Sequence, residues 1–171
     1  MPLSMHQVSV PVFQQFLGSL SAVLDKAEAH CSASGSDPTD LLNLRLAPDM
    51  FTLTQQVQRA CIHASGAVAR LAGIDIPEEA DDEASIEDLR ARIARTLEFL
   101  EGVTPAQLEA SETTPVEQPT RVAVLTFPSG ADLLLRFALP QFMFHVTTAY
   151  DIIRHSGAEI GKIDFMGAML R

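Results

Sequence analysis

The run from Ser129 to Gly157 reads as one long helix, apolar almost all round, that carries Gln141, His145, Tyr150 and His155 among its hydrophobic residues. A helix of that kind is buried, so each polar side chain on it must find a partner. Gln141 and His145 are four residues apart and share a face that Thr148 and Ile152 continue. An imidazole so placed can ligate a metal, act as an acid or base, or hydrogen-bond a small molecule. It can equally be a core histidine satisfied by a neighbouring hydroxyl or carbonyl, and one His beside one Gln is a poor zinc ligand set. The pocket candidates are Gln141, His145, Thr148 and Tyr150.

His63 is the second imidazole of interest. It lies at the edge of the apolar stripe of an earlier helix, seven residues after Gln56. If the two helices pack together, His63 approaches His145. The plainer reading, which the spacing favours, makes Gln56, Arg59, His63 and Arg70 one polar outer face. His155 lies about 15 Å along the helix from His145, too far to share a ligand with it. No P-loop, dinucleotide fingerprint or nucleophile elbow occurs, and no Glu precedes a His by three residues as a di-iron bundle requires. Nothing in the chain names a reaction.

Positioning these groups falls to a set of helices whose starts are marked by capping residues. Phe13, Phe16, Leu17, Leu20, Leu24 and Ala27 form one amphipathic face, with Pro11 in the first turns. Asp37-Pro38 starts a short helix reaching about Asn43, and Thr52-x-x-Gln55 has capping-box spacing ahead of the stripe Leu53, Val57, Ala60, Cys61, Ala64, Val68 and Leu71. Gly73 ends that stripe. The acidic run from Pro77 to Asp88 is expected to be a solvated connection. Ser85 then caps a helix with Ile86, Leu89, Ile93, Leu97 and Leu100 on one face and Arg90, Arg92 and Arg95 outside.

Thr104-Pro105 opens a further short helical turn. Beyond it, Pro115 and Pro119 exclude helix, and Arg121 to Phe127 alternates with the period of a strand, predicting a small β-hairpin. Ser129 caps the last long helix, and Pro140 is expected to kink it and release a backbone carbonyl. Four long helices and one hairpin make an all-α four-helix bundle the natural packing.

The chain has 171 residues, 47% of them hydrophobic, which suits one well-filled domain over residues 1–171. A net charge of -10 with only 12 scattered basic residues argues against a nucleic-acid partner. The strongest candidate for a membrane span, Ala131 to Ile153, is interrupted by Asp132, Arg136 and Asp151, so no membrane partner is expected. The N-terminus lacks the features of a signal peptide, and Cys31 and Cys61 read as reduced thiols, which together give a cytoplasmic expectation.

Four ordered motifs extend over nearly the whole chain: Ser9-Val10-Pro11-Val12-Phe13, Leu44-x-Leu46-Ala47-Pro48-Asp49-Met50-Phe51, Ala69-Arg70-Leu71-Ala72-Gly73 and Phe144-His145-Val146-Thr147-Thr148-Ala149-Tyr150. In these the chain resembles an uncharacterised bacterial domain-of-unknown-function family related to the DinB/YfiT-like proteins. The resemblance implies a DinB-like four-helix bundle, often homodimeric, in a superfamily that includes divalent-metal proteins and thiol-dependent transferases with a three-His site. One superfamily His comes from the second long helix and two from an H-x-x-x-H pair on the last. Here the pair falls on Gln141 and His145 and is broken, while His63 matches the helix-two ligand in type.

The implied metal set is thus His63, Gln141 and His145 around a divalent ion such as Zn, Ni, Mn or Fe. Three functional expectations follow: a homodimeric bundle with a small-molecule pocket near Gln141, His145 and Tyr150; a metal-dependent transferase or hydrolase with a degenerate site; and a homodimeric interaction module without catalysis.

Overall fold

The helices start at local sequence signals, a side-chain cap for some and an early proline for others. The computed structural model describes residues 3–120 and 122–167. Helix α1, Val10–Ser34, has Pro11 in its first turn and ends at Gly35, whose φ of 72° closes it in the left-handed conformation. In α2, Pro38–Asn43, the Asp37 carboxylate accepts from Thr39 N at 2.8 Å. The full capping box of Thr52 and Gln55 starts α3, Leu53–Ala72. Ser85 accepts from Asp88 N at 3.0 Å to open α4, Ile86–Glu101. A cap of this kind contributes about 1 kcal/mol by satisfying an orphan amide.

The connection after α4 holds α5, Pro105–Leu108, then a 3₁₀ turn at Glu109–Ser111 and the hairpin. Strands β1, Val116–Pro119, and β2, Val124–Phe127, pair antiparallel with Val116 opposite Phe127 and Gln118 opposite Leu125. The strand is shorter than the alternation implied, because Val122 and Ala123 belong to the turn, and Arg121 lies outside the described residues. Val124 and Leu125 are exposed, while Phe127 and, on the other strand, Val116 lean on the helices.

The last long helix is not uniform. Ser129 accepts from Asp132 N to begin α6, Gly130–Leu133, a π-helical turn spans Leu134–Ala138, and α7 runs over Leu139–His155. Pro140 has no N–H, and in an unbroken α-helix its ring would strike the carbonyl four residues back. The π turn, in which Leu139 N bonds to Leu134 O, widens the helix immediately before that proline. The break expected at Pro140 is therefore a π turn on its N-terminal side. A short α8, Lys162–Met166, is tied to α1 where Ser19 Oγ donates to Asp164 O and Phe165 O and Gln15 Nε2 donates to Met166 O.

Helix α3 packs on α7 and α4, and α1 packs on α4 and α7, so the order around the bundle is α1, α4, α3, α7. The links from α1 to α3 and from α4 to α7 each cross a diagonal, which is why both are long. One contiguous core fills the centre, with Phe13 meeting Phe142 edge-to-face at 4.9 Å. No described helix is long and apolar enough to cross a membrane.

Two expectations about charge are corrected. Arg92 does not face solvent: it is 1% exposed, and its guanidinium meets Glu83 at 2.8 Å, Asp81 at 3.1 Å and Glu79 at 3.3 Å. The acidic segment is accordingly not a solvated connection throughout. Glu83 turns inward, its carboxylate held by Arg92 and by Gln58 Nε2 at 2.7 Å, and Arg92 Nη1 also donates to Ala80 O. Like charges that cannot fold alone are ordered here by one buried cation, with Arg59 on Asp81 and Arg95 on Glu79 beside it.

Candidate functional site

His145 projects from the middle of α7 towards α3, and there it meets Gln56. Its Nδ1 lies 2.7 Å from Gln56 Oε1, while Gln56 Nε2 donates to Phe51 O at 3.3 Å. The second bond orients the amide so that its oxygen faces the imidazole. Nδ1 therefore carries the proton and donates, leaving Nε2 of His145 as a free lone pair without a protein partner among the described residues. Gln56 is 1% and His145 6% exposed, so the relay is shielded from water.

His63 stacks against this arrangement. Its ring lies nearly parallel to that of His145, at 13°, with centroids 5.3 Å apart. Both imidazoles are pushed down to a pKa of about 4: burial is the main cause for each, and for His63 the neighbouring His145 and then Arg59 and Arg70 add repulsion. The pair is neutral near pH 7, and burial makes each ring a weak base that resists protonation. Phe144 meets His145 edge-on at 5.4 Å and Phe51 stacks on it at 6.2 Å. Phe137, itself against Phe127 of the hairpin at 5.6 Å, packs on His63 at 6.1 Å.

A cleft of about 230 Å³ opens over His145 between Asp49, Met50, Phe51, Gln56 and Phe144. Its wall is the turn after α2, pinned where Met50 N donates to Ala47 O, Leu53 N donates to Leu44 O, and Arg45 Nη1 donates to Met50 O. A larger cavity of about 650 Å³ lies between α3, α4 and the acidic segment, lined in part by Cys61, Glu79, Arg92 and Thr96. Its charges already neutralise one another, and burial raises the Cys61 thiol to about 12, so it offers no nucleophile at neutral pH.

Of the residues singled out from sequence, the fold brings His63 and His145 together. Gln141 is half-buried one turn before His145 and makes no side-chain hydrogen bond among the described residues. Thr148 is buried and donates to Phe144 O at 2.8 Å. Tyr150 packs on Phe165 of α8, ring centroids 5.5 Å apart, away from the cleft residues. The polar outer face favoured for Gln56 and His63 is overturned, since Gln56 is enclosed at the α3–α7 contact and His63 stacks on His145. Gln56, Phe51 and Phe144 are site residues that the spacing did not single out.

The domain-of-unknown-function model DUF1993 matches residues 5–166 of the chain. The chain belongs to the DUF1993 family. A crystal structure of a DinB family member protein from Shewanella denitrificans is similar to this DUF1993 chain at 40% identity and a TM-score of 0.89, over 98% of this chain and 94% of that one. No curated protein matches it. The relation to the DinB-like superfamily and the helical bundle with a hairpin before its last long helix therefore stand.

A three-His centre does not fit the DUF1993 chain as it stands. Two neutral imidazoles are present, but position 141 offers a neutral amide, and no three His, Cys, Asp or Glu side chains gather among the described residues.

Proposed function

We propose that this DUF1993 protein binds a small organic molecule in the cleft over His145, with Nε2 of His145 accepting a hydrogen bond from an O–H or S–H group of the ligand. The carrying observation is the relay from His145 Nδ1 through Gln56 to Phe51 O, which fixes the tautomer and aims one lone pair. Phe51, Met50 and Phe144 supply apolar walls, so an aromatic or aliphatic body with one neutral donor suits the cleft. Phenol and 2-phenylethanethiol are the probes. Saturable binding of a probe by calorimetry, accompanied by shifts of the His145 ring nitrogens and lost in His145→Phe, supports the reading; no saturable binding of either probe overturns it.

A second reading is a two-histidine divalent-metal site completed by Gln141. It is favoured by the apposition of two imidazoles whose low proton affinity leaves both lone pairs open to a cation near pH 7. Elemental mass spectrometry of untagged protein supplied with Zn, Ni, Mn and Fe decides it. Near-stoichiometric metal that disappears in His145→Ala supports it, and metal absent throughout removes it. A homodimer belongs to the same proposal, with exposed Phe51 and Phe144 at the cleft rim as its apolar contact; light scattering that finds only an 18.5 kDa species overturns that part.

A further inference from the structure

Among the described residues, Arg70 stands apart from the other cations. Lys26, Arg59, Arg90, Arg92, Arg95 and Arg136 each face at least one carboxylate. Arg45, Arg154 and Lys162 have none among the described residues but are exposed to water. Arg70 is half-buried and has no carboxylate partner among the described residues. In a chain of net charge -10, a partly desolvated guanidinium without an acid beside it is costly unless something else supplies the negative charge.

The side chain is also seated. Arg70 folds back along α3 so that Nη1 donates to Gly66 O at 2.9 Å, and a Cβ at position 66 would lie 2.9 Å from that same nitrogen. A glycine inside a helix costs stability relative to alanine, and here it makes room for the guanidinium. The other N–H groups of Arg70 have no protein partner among the described residues. They border a pocket of about 100 Å³ whose polar lining is Arg70, His63 and Gln118, with apolar Ile62, Ile76 and Phe137 around them and no Asp or Glu. Gln118 is brought there by β1, whose alternation turns it towards the helices while Glu117 faces solvent.

We propose that this pocket binds a small organic carboxylate, its oxygens on the planar fork of Arg70 and its short apolar tail against Ile62, Ile76 and Phe137. The guanidinium matches carboxylate or phosphate in geometry. A single cation in an apolar-walled space the size of roughly three waters favours the monoanionic carboxylate over a strongly hydrated dianion. The pocket shares no lining residue with the cleft over His145, so the inference does not depend on that cleft being filled.

The test is titration of the full chain with propionate, propionamide and inorganic phosphate at constant ionic strength, followed by the NMR signals of the Arg70 side chain and the His63 ring. Expected is saturable binding of propionate but not of propionamide, weakened at least about tenfold in Arg70→Gln. Gly66→Ala covers the case in which Arg70→Gln fails to fold. It pushes Nη1 off its seat while improving helix propensity, so propionate affinity falls at an unchanged or higher Tm. Phosphate saturating where propionate does not, propionamide binding as well as propionate, no saturable binding of any probe, or undiminished affinity in the variants overturns the proposal.

Discussion

Gln56 Oε1 and His145 Nδ1 meet at 2.7 Å across 89 positions of sequence, and this contact sets which nitrogen of the imidazole is left free. Replacing Gln56 by Leu keeps the volume but strands a buried N–H. A cost of about 1–3 kcal/mol is expected, because a buried donor without an acceptor loses its hydration with no return. Urea unfolding measures the cost, and ¹⁵N spectra of the histidine rings report the tautomer. A variant as stable as the parent, with Nδ1 still protonated, would show that Gln56 does not orient the ring.

Stability should fall on acidification through a window set by the two imidazoles. Each has a pKa of about 4 in the folded chain against an ordinary value of 6.5. Above pH 6.5 both rings are neutral whether the chain is folded or not, and their contribution is at its plateau. As the pH drops from 6.5 towards about 4 the unfolded chain takes up protons that the folded one refuses, so folding weakens over that interval and these rings add no further loss below it. Ring-proton shifts of His63 and His145 should stay flat from pH ~8 to ~5. Titration of either ring near 6.5 would contradict the enclosed geometry.

Gly130 fixes how the helix bearing His145 leaves the hairpin. A Cβ there would lie 2.3 Å from Ser111 O and 2.7 Å from a methyl of Leu71. The first obstacle is backbone, which cannot swing aside, so Gly130→Ala is expected to cost about 1–3 kcal/mol as overpacking does. Calorimetry gives the magnitude. Because α6 leads through the π turn into α7, the same substitution should broaden the His145 ring signals; a variant with the parent's Tm and spectra would show the contact to be slack.

Local chemistry was readable along the chain wherever one side chain acts on its own neighbourhood. Asp37, Thr52, Ser85 and Ser129 all cap the helices expected of them, since an N-cap needs only an acceptor and an amide two or three residues on. The site was half readable. His145 advertised itself as polar on an oily helix, but Gln56 and His63 sit beside the main stripe of α3 and passed for an outer face. Ala60 and Ala67, at helical spacing from both and buried, marked a second contact face, where small residues let α7 come close. Arg70 had no such mark, because whether a cation lacks a partner depends on where every carboxylate in the fold ends up.

The same dependence explains Arg92, whose burial no periodicity announces: its acidic partners precede it on a segment whose charge reads as a solvated connection. The guanidinium is 1% exposed and the Glu83 side chain 4%, so neither charge is relieved by water. Arg92→Met should therefore cost about 3 kcal/mol or more, most of it the penalty of leaving Glu83 buried and unpaired. Adding Glu83→Leu should recover part of that loss, since replacing both members of a buried ion pair is far milder than removing one. Segment 77–84 should at the same time become more open to protease in the single variant, as Ala80 O and Glu83 lose their cation while Glu79 and Asp81 keep only Arg95 and Arg59. Equal stability of the single and double variants would mean that the segment is held by its packing, and the arginine only fills space.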